Sequence, residues 1–311
     1  MSSDGSFSNS AARAIAIVEF LATRPTETFT VAEIARRVGL NKSTTYTLIR
    51  TLRRAGWVFR SPIDLRYGIG PTVIVLGEAA AQALPEVSFA RPIMERLASD
   101  FGRECVLSTL VGDEIVVLAS TGPSELGTLW NRPGSKSPCS PPFGSLFVAW
   151  QDPQQQKRWF ERGTVVSVER CEELAADLEL IKRRGFVATL KSTVEAQLAQ
   201  VMRDIQTTTT LEDLRRIQAK RMSLLTPDEY LVGSEDGVDS LSIRSLQAPI
   251  FDGEAVGYAL TVASIDEVWD FEMLREMGSK VRKAADEVSA AIGSLNRSRH
   301  PGALARSSAA S

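Results

Sequence analysis

The chain has 311 residues, of which 43% are hydrophobic and 24% are charged. These values are typical of soluble globular proteins and exclude a disordered or fibrous protein, and the length predicts two domains. The sequence contains neither an apolar run of the roughly 20 residues that a bilayer requires nor a secretory signal at its start. We therefore expect a cytoplasmic protein with no membrane partner.

Few residues are available for catalysis or metal binding. The one histidine, His300, lies in a tail, residues 297–311, whose composition predicts disorder. Ser-His-Asp and Cys-His catalytic groups and the common zinc and iron sites need an ordered histidine. The cysteines Cys105, Cys139 and Cys171 form no CxxC pair. We expect reduced thiols, no catalytic residue, no metal site, no cofactor, and a protein that is not an enzyme.

Charge is divided unevenly along the chain, whose net charge is only −2. Residues 1–78 contain 10 Lys and Arg against 6 Asp and Glu, a net charge of +4, whereas the other 233 residues contain 26 against 32, a net charge of −6. This asymmetry predicts a small module that binds a polyanion, joined to a body with another task.

Three helices are predicted in the basic segment. Apolar residues between 15 and 21 indicate the first helix. Thr30 and Glu33 have the spacing of a capping box, which predicts a short second helix that ends at Gly39. Asn41 is a favoured N-cap for a third helix, which ends at Gly56. Two short helices joined at a glycine indicate a helix-turn-helix, whose second helix enters the major groove of DNA by its N-terminal residues.

A two-stranded hairpin is predicted next, with an arginine on each side of its tip. Beside a recognition helix, such a hairpin makes a wing that contacts backbone phosphate or the minor groove. Hydroxyl, cationic and aromatic groups at the start of the third helix suit phosphates and base edges. The predicted DNA-binding residues are Lys42, Ser43, Thr44, Thr45, Tyr46, Arg50, Arg60 and Arg66. The alternative is a three-helix protein-interaction module whose Lys and Arg side chains are merely solvated.

The front of the chain resembles the IclR family of bacterial transcriptional regulators in the order and spacing of three runs, AARAIAIVEFLA, TVAEIARRVGLNKSTTYTLIRTLRRAGWVFR and RYGIGPTVIVLGEAA. The resemblance implies a winged helix-turn-helix over residues 1–70 that binds a double-stranded DNA operator. It also implies that a linker helix, residues 71–84, leads to a sensing domain and helps to pair two chains. Thr47 stands where the family often has arginine, which leaves the base sequence of the operator open.

The body of the chain, residues 85–296, alternates β-rich and helical patterns. Turns at 112–113 and 252–254 each separate two β-rich runs, which predicts two antiparallel hairpins. Amphipathic helices are predicted around 171–186 and 270–295. The predicted fold class is therefore α+β, with the winged helix-turn-helix joined by a helix to an antiparallel-sheet α/β domain.

This body resembles the IclR effector domain, which implies a GAF-like fold. Cys139, Ser145 and Ser245 replace the family's usual histidine, lysine and cysteine. Residues from about 190 to 239 form an insertion, which we expect to be a helical excursion outside the sheet. The resemblance implies that a small organic effector, typically an organic acid or an aromatic catabolite, binds against the sheet.

The predicted effector site combines a helix N-terminus, which attracts a carboxylate, with an apolar cavity. We expect a small, mainly apolar effector there. The residues predicted to form the site are Thr109, Gly112, Trp130, Cys139, Ser140, Phe143, Gly144, Ser145 and Ser245. For each of them the alternative is an ordinary core position, in which Cys139 is a small buried hydrophobe.

Three hypotheses about function follow. The leading one is a transcriptional regulator, dimeric or tetrameric, whose operator affinity is controlled by a small-molecule effector. The second is a regulator whose divergent body serves only oligomerisation or a protein partner. The third is an enzyme attached to a DNA-binding module, which the missing catalytic motifs disfavour.

Overall fold

The computed structural model describes residues 9–22, 24–123, 131–163, 168–191, 231–233 and 240–299. By its internal contacts the chain divides into two compact units. In the described part of the sequence, the boundary between them lies between Ala83 and Leu84. Each unit has a hydrophobic core of its own.

The first unit consists of helices and one small hairpin. Its elements are α1 (Asn9–Ala22), α2 (Val31–Arg37), α3 (Lys42–Arg54), β1 (Val58–Arg60), β2 (Tyr67–Ile69) and α4 (Thr72–Ala83). β1 and β2 pair antiparallel in a two-stranded sheet. The predicted winged helix-turn-helix is thereby confirmed.

Both predicted helix caps are confirmed. The Thr30 hydroxyl accepts from the N–H of Glu33 at 3.2 Å, and the Glu33 carboxylate accepts from the N–H of Thr30 at 2.7 Å, so both halves of the capping box are present. Asn41 Oδ1 accepts from the N–H of Thr44 at 2.8 Å. Because these side chains satisfy N–H groups that lack a partner within the helix, they fix where α2 and α3 begin.

Apolar side chains from the three helices and the hairpin form the core of the first unit. Ile17, Ile34 and Ile49 are fully buried and pack with Tyr67 of β2. The backbones of Phe29 and Tyr67 exchange two hydrogen bonds, at 2.8 and 2.7 Å. The wing is therefore held against the segment that leads into α2.

α4 carries apolar side chains on its surface. Ile74 is 75% exposed, Val75 67% and Leu76 43%. No described helix is by itself long and apolar enough to cross a membrane, and the segments Thr72–Ala80 and Pro85–Phe101 reach that length and hydropathy only when they are taken together. Within the described part of one chain, these three apolar side chains of α4 are exposed to solvent.

The second unit is an antiparallel sheet with helices on both faces. Its described helices are α5 (Pro85–Phe101), α6 (Ser145–Val148), α7 (Pro153–Glu161), α8 (Val168–Arg184) and α9 (Phe271–Arg299). Its described strands are β3 (Glu104–Val111), β4 (Glu114–Thr121), β5 (Lys136–Pro138), β6 (Val187–Leu190), β7 (Leu241–Asp252), β8 (Ala255–Ala263) and β9 (Glu267–Trp269). The strand order is β5-β4-β3-β8-β7-β6, with β9 paired to β7. The two predicted hairpins are confirmed as β3–β4 and β7–β8.

The alternation of side chains along the strands gives the sheet two different faces. On one face, Leu107, Leu246 and Leu260 belong to the larger core, to which α5 and α9 contribute. Residues next to these in sequence point to the opposite face. There Leu146 of α6 and Trp159 of α7 belong to a second core.

Most of the insertion predicted from about 190 to 239 lies outside the described residues. Residues 231–233 near its end are described, and two of them are buried: Leu231 is 5% exposed and Val232 is 6% exposed. Leu231 forms a β-bridge with Thr189, and Arg184 donates to the carbonyl oxygen of Val232 at 2.8 Å. The expectation that the insertion lies outside the sheet is therefore wrong for these two residues, because they are apolar and complete the core.

Candidate functional site

One face of α3 presents polar side chains to solvent. Lys42, Ser43, Tyr46 and Arg50 are exposed, and their spacing places them on successive turns of one helix face. The Arg50 guanidinium lies 5.9 Å from the centroid of the Tyr46 ring, which is a cation–π distance. Thr44 is half-buried at the edge of this face. The face offers cationic, hydroxyl and aromatic groups to a partner.

Thr45 does not belong to this face. Its side chain is fully buried, and its hydroxyl donates to the carbonyl oxygen of Asn41 at 2.9 Å. The prediction that Thr45 contacts DNA is therefore wrong, because the helix turns this side chain into the core. Sequence reasoning missed Thr47, which is exposed and follows Ser43 by four residues. The i, i+4 spacing is the signal that would have identified it.

The two arginines of the wing differ in their surroundings. Arg60 is exposed, and its Nε donates to the carbonyl oxygen of Leu65 at 3.1 Å. Arg66 is half-buried and donates to the Glu33 carboxylate at 2.7 Å and to the carbonyl oxygen of Thr28 at 2.9 Å. Arg66 therefore has a structural role in holding the wing, and its contact with DNA stays a prediction.

A cavity of about 170 Å³ lies on the sheet face that α6 covers. The strand register builds one of its walls. Val106 of β3 pairs with Thr261 of β8, and Thr261 pairs with Gln247 of β7, so the three side chains form a row across the sheet. Beside this row Ser245 of β7 pairs with Thr189 of β6. This wall of the cavity is therefore made of strand residues that alternate along the chain with residues of the main core.

More polar than apolar residues line the cavity. The nine polar ones are Ser108, Asn131, Ser137, Thr189, Arg244, Ser245, Gln247, Thr261 and Ser264. The other seven are Val106, Ile115, Val117, Phe143, Gly144, Phe147 and Ala263. Convergent hydrogen-bonding groups between apolar walls are typical of a small-molecule site. The cavity thus has more polar side chains than the few that the sequence predicted, set between the apolar walls that it predicted.

Several of these polar groups are held in place by hydrogen bonds. The hydroxyl oxygens of Thr189 and Ser245 lie 2.6 Å apart, and both residues are buried. Asn131 Nδ2 donates to one oxygen of the Glu104 carboxylate at 2.8 Å, and the Ser120 hydroxyl donates to the other oxygen at 2.6 Å. These contacts orient side chains that would otherwise sample several rotamers.

The predicted effector residues fall into two groups. Phe143, Gly144 and Ser245 line the cavity, although their contact with an effector stays a prediction. Thr109 follows Ser108 in β3, so its side chain leaves on the other face of the sheet, and its hydroxyl donates to the carbonyl oxygen of Gly257 at 2.8 Å. Gly112, with a φ of 60°, forms the turn between β3 and β4. The predicted roles of Thr109 and Gly112 are therefore wrong, and Trp130 lies outside the described residues.

The structure places a helix start at the end of the predicted range 139–145. α6 begins only at Ser145 and has four residues, so its dipole is small. Ser140 and Ser145 are buried, and neither lines the cavity. The carboxylate site at this helix N-terminus stays a prediction, to which a helix of only four residues adds little support.

Cys139 is a buried core residue. It is 1% exposed, it does not line the cavity, and burial raises the pKa of its thiol to about 11. A thiol with such a pKa is protonated at neutral pH and is a poor nucleophile. Gly144 has a φ of 83°, and a Cβ there would collide with the Cys139 sulfur. In the described part of the chain, no group of three or more His, Cys, Asp or Glu residues is placed to hold a metal ion.

The lining residues that sequence reasoning missed carry a partial signal. In β7 and β8, the missed residues Gln247 and Thr261, like the predicted Ser245, alternate with the apolar residues of the main core. Alternation with period two marks a sheet face that is not packed as apolar core. Asn131 and Ser264 lie outside strands, so no periodicity identifies them.

Comparison with known proteins finds a family match within the first unit. Residues 10–62 match the family described as the IclR helix-turn-helix domain. The regulator KdgR of Dickeya chrysanthemi is 28% identical over 165 residues, which are 50% of this chain and 53% of KdgR. The regulator BhcR of Paracoccus denitrificans is 27% identical over 180 residues, which are 56% of this chain and 64% of BhcR. The matches thus span between half and two thirds of these curated relatives.

Solved structures resemble the chain over most of its length. The IclR transcriptional regulator from Alicyclobacillus acidocaldarius has a TM-score of 0.60 at 19% identity, with 93% of this chain and 99% of that one covered. An IclR homolog from Microbacterium hydrocarbonoxydans, solved with 4-hydroxybenzoate, has a TM-score of 0.59 at 18% identity. The match covers 91% of this chain and 99% of the homolog. At such identity the likeness shows the fold alone. Together with the match at residues 10–62, it shows that the chain contains an IclR helix-turn-helix domain and has the fold of IclR transcriptional regulators.

Proposed function

We propose that this protein is a DNA-binding transcriptional regulator whose affinity for its operator is controlled by a small organic molecule bound in the cavity. The observation that carries the proposal is the exposed polar face of α3 within a domain that matches the IclR helix-turn-helix. The curated relatives KdgR and BhcR are described as HTH-type transcriptional regulators, which supports the same assignment here.

The α3 face supplies both kinds of contact that operator recognition needs. Lys42 and Arg50 are cationic groups suited to phosphates. Ser43, Tyr46 and Thr47 supply hydroxyl and aromatic groups for base edges in the major groove. Arg60 places a further cation on the wing, where the DNA backbone or the minor groove would pass. The net charge of +4 over residues 1–78 attracts this module to a polyanion despite the acidic body.

The regulator acts as a dimer or a larger oligomer. One short recognition helix contacts few base pairs, so two-fold pairing on a pseudo-palindromic operator is needed for specific affinity. The exposed apolar side chains of α4, Ile74, Val75 and Leu76, offer a surface for pairing with a second chain. An apolar stripe left in water would be an interaction patch.

The cavity supports effector control. Its volume of about 170 Å³ suits a small metabolite, and polar groups converge on it from five strands of the sheet. The solved IclR homolog from Microbacterium hydrocarbonoxydans was crystallised with 4-hydroxybenzoate, which shows that a small aromatic molecule binds to that relative. A bound effector changes operator affinity by the difference between its affinities for the two conformations, typically about 1 to 3 kcal/mol.

Operator binding by the full chain tests the proposal. Fluorescence anisotropy with the chain's own promoter DNA should show binding about 10³-fold tighter than to a scrambled duplex. Equal affinity for the two duplexes would contradict sequence-specific regulation. If binding is specific but no organic acid or alcohol changes it, effector control is contradicted and the body serves oligomerisation or a protein partner.

A further inference from the structure

One end of the cavity holds a buried hydroxyl group that has no partner. Ser264 lines the cavity, is 2% exposed, and its Oγ makes no hydrogen bond with any described residue. Leaving a buried hydroxyl unpaired costs free energy, so proteins normally satisfy such groups. Ser264 also has a φ of 56°, in the left-handed region that favours glycine. Its side chain is thus kept beside the cavity at a cost to stability, which points to a partner supplied by a ligand.

The same end of the cavity has balanced charge. Arg244 is the cationic residue among those that line the cavity in the described part of the chain, and its Nη1 contacts Asp266 Oδ2 at 2.7 Å. The other oxygen of Asp266 lies 3.6 Å from the Lys191 ammonium. At the Asn131 side, the Glu104 carboxylate is 3% exposed and accepts two hydrogen bonds. Arg244 and Lys191 thus both contact Asp266, and Glu104 lies behind Asn131, so the two cations near the cavity are balanced by two carboxylates.

The remaining polar groups near Ser264 both donate and accept. Thr189 and Ser245 share one hydrogen bond in which either hydroxyl can be the donor, so the pair can turn either a proton or a lone pair toward a ligand. The amide of Asn131 uses one N–H for Glu104 and keeps a second N–H and its carbonyl oxygen as further donor and acceptor.

We propose that the cavity binds a neutral molecule that carries hydroxyl groups, and that Ser264 forms a hydrogen bond with one of them. A ligand hydroxyl both donates and accepts, so it matches Ser264, Thr189 and Ser245 in either direction. A carboxylate only accepts, and it would lose its hydration in a cavity whose arginine already faces Asp266. This inference rests on the proposed function, because it names the class of effector that the regulator senses.

Matched pairs of compounds test the ligand class. Isothermal titration of the full chain would compare 4-hydroxybenzyl alcohol with 4-hydroxybenzoate, and erythritol with erythronate. The neutral compound of at least one pair should bind at least about tenfold tighter than its acid, because the acid pays for desolvating a charge. Tighter or equal binding of the acid in both pairs, or no binding of any of the four compounds, would overturn the proposal.

Three variants test the residues. Ser264→Gly removes the hydroxyl yet tolerates the positive φ, and it should weaken binding of the neutral compound about fivefold, the loss of one hydrogen bond. Ser289→Ala removes a part-buried serine hydroxyl of α9 that does not line the cavity, so it is the matched control and should leave the affinity unchanged. Asp266→Asn introduces a side chain that also tolerates the φ of 51°, and it removes the carboxylate that neutralises Arg244. This variant should therefore bind the acid of each pair more tightly, relative to the neutral compound, than the wild type does. Unchanged affinity in Ser264→Gly would contradict the role of Ser264.

Operator binding measured without any compound tests the proposed function separately from the proposed ligand class. If the wild-type chain binds its promoter specifically but prefers the acids, the ligand class is wrong and the regulator assignment stands. If it does not bind promoter DNA, the proposed function itself is wrong, whichever compound fills the cavity.

Discussion

The Arg66 guanidinium donates to Glu33 Oε2 at 2.7 Å, and this contact joins the wing to the first turn of α2. The same carboxylate oxygen accepts from the backbone N–H and the hydroxyl of Thr30. One glutamate therefore caps α2 and positions the wing. In the proposed function α3 and the wing approach one DNA duplex together, and Glu33 fixes the wing relative to the helix that precedes α3.

Replacing Glu33 by glutamine should destabilise the first unit. The pKa of Glu33 is lowered, first by the hydrogen bond from the Thr30 backbone and further by the Thr30 hydroxyl and Arg66. A carboxyl group whose folded pKa is lowered stabilises the fold above its unfolded pKa, and this stabilisation is lost as pH falls through the folded pKa. Glu33→Gln should cost about 1 kcal/mol at neutral pH.

Urea unfolding followed by circular dichroism at several pH values measures this effect. The difference between wild type and Glu33→Gln should shrink as pH falls below the ordinary Glu pKa of about 4.3, and it should be lost below the lowered folded pKa, where both side chains are uncharged. A difference that is the same at pH 7 and in acid would mean that the charge of Glu33 does not contribute.

Lys42→Ala and Arg60→Ala should each weaken operator binding and reduce its dependence on salt. Each lost phosphate contact lowers the slope of log K against log salt by about 0.9. Arg158→Ala removes an exposed arginine of α7 in the second unit and is the control of equal charge. If the slope falls equally in Arg158→Ala, overall charge rather than docking explains the effect.

The first unit was predictable from its sequence because its determinants are local. Thr30, Glu33 and Asn41 act within one helical turn, so their spacing identifies the helix starts directly. The same local reasoning failed for Thr45, because the rotation of a helix about its axis is set by packing against its neighbours. Ile49, one turn further along, is buried on the same side and was the clue.

The cavity was harder to predict because its walls come from distant parts of the chain. Ser245 and Gln247 have an alternating pattern, but which face of a strand meets the core follows from register and bulges. Thr109 was chosen where Ser108 lines the cavity, a difference of one residue that reverses the face. Ser264 has no periodic neighbour, and only the turn after β8 brings it beside Arg244.

Charged residues on α4 should prevent the pairing of chains. Ile74→Glu combined with Val75→Glu places two carboxylates on the exposed apolar surface of α4, whose burial against a second chain would then require desolvating charge. Sedimentation velocity at micromolar concentration should show a wild-type dimer or tetramer and a monomeric variant that binds the operator weakly. Val268→Glu is the control, because Val268 is 69% exposed and lies on β9 of the second unit rather than on α4. A monomeric wild type would contradict this prediction.

Two cysteines should resist alkylation in the folded protein. Burial raises the pKa of Cys105 to about 12 and that of Cys139 to about 11, and both are at most 1% exposed. Thiolate is the reactive form, so N-ethylmaleimide at pH 7.5 should label these residues only after unfolding. Mass spectrometry of tryptic peptides resolves each site. Rapid labelling of Cys139 in the folded chain would show that its surroundings open to solvent.

Shortening the insertion should leave a folded, DNA-binding protein, provided that its end is kept. Replacing residues 195–226 by a short Gly/Ser linker should change the free energy of unfolding by no more than about 1 kcal/mol, because loop-closure cost depends weakly on length. The segment Leu231 to Gly233 must remain, since Leu231 and Val232 are buried and Arg184 donates to the carbonyl oxygens of Val232 and Gly233 at 2.8 and 2.7 Å.

Arg184→Ala in the full chain removes those two bonds and should cost about 1 to 3 kcal/mol, measured by thermal unfolding. If the shortened chain aggregates while Arg184→Ala stays as stable as wild type, the replaced residues belong to the core and the anchor at 231–233 does not hold the segment.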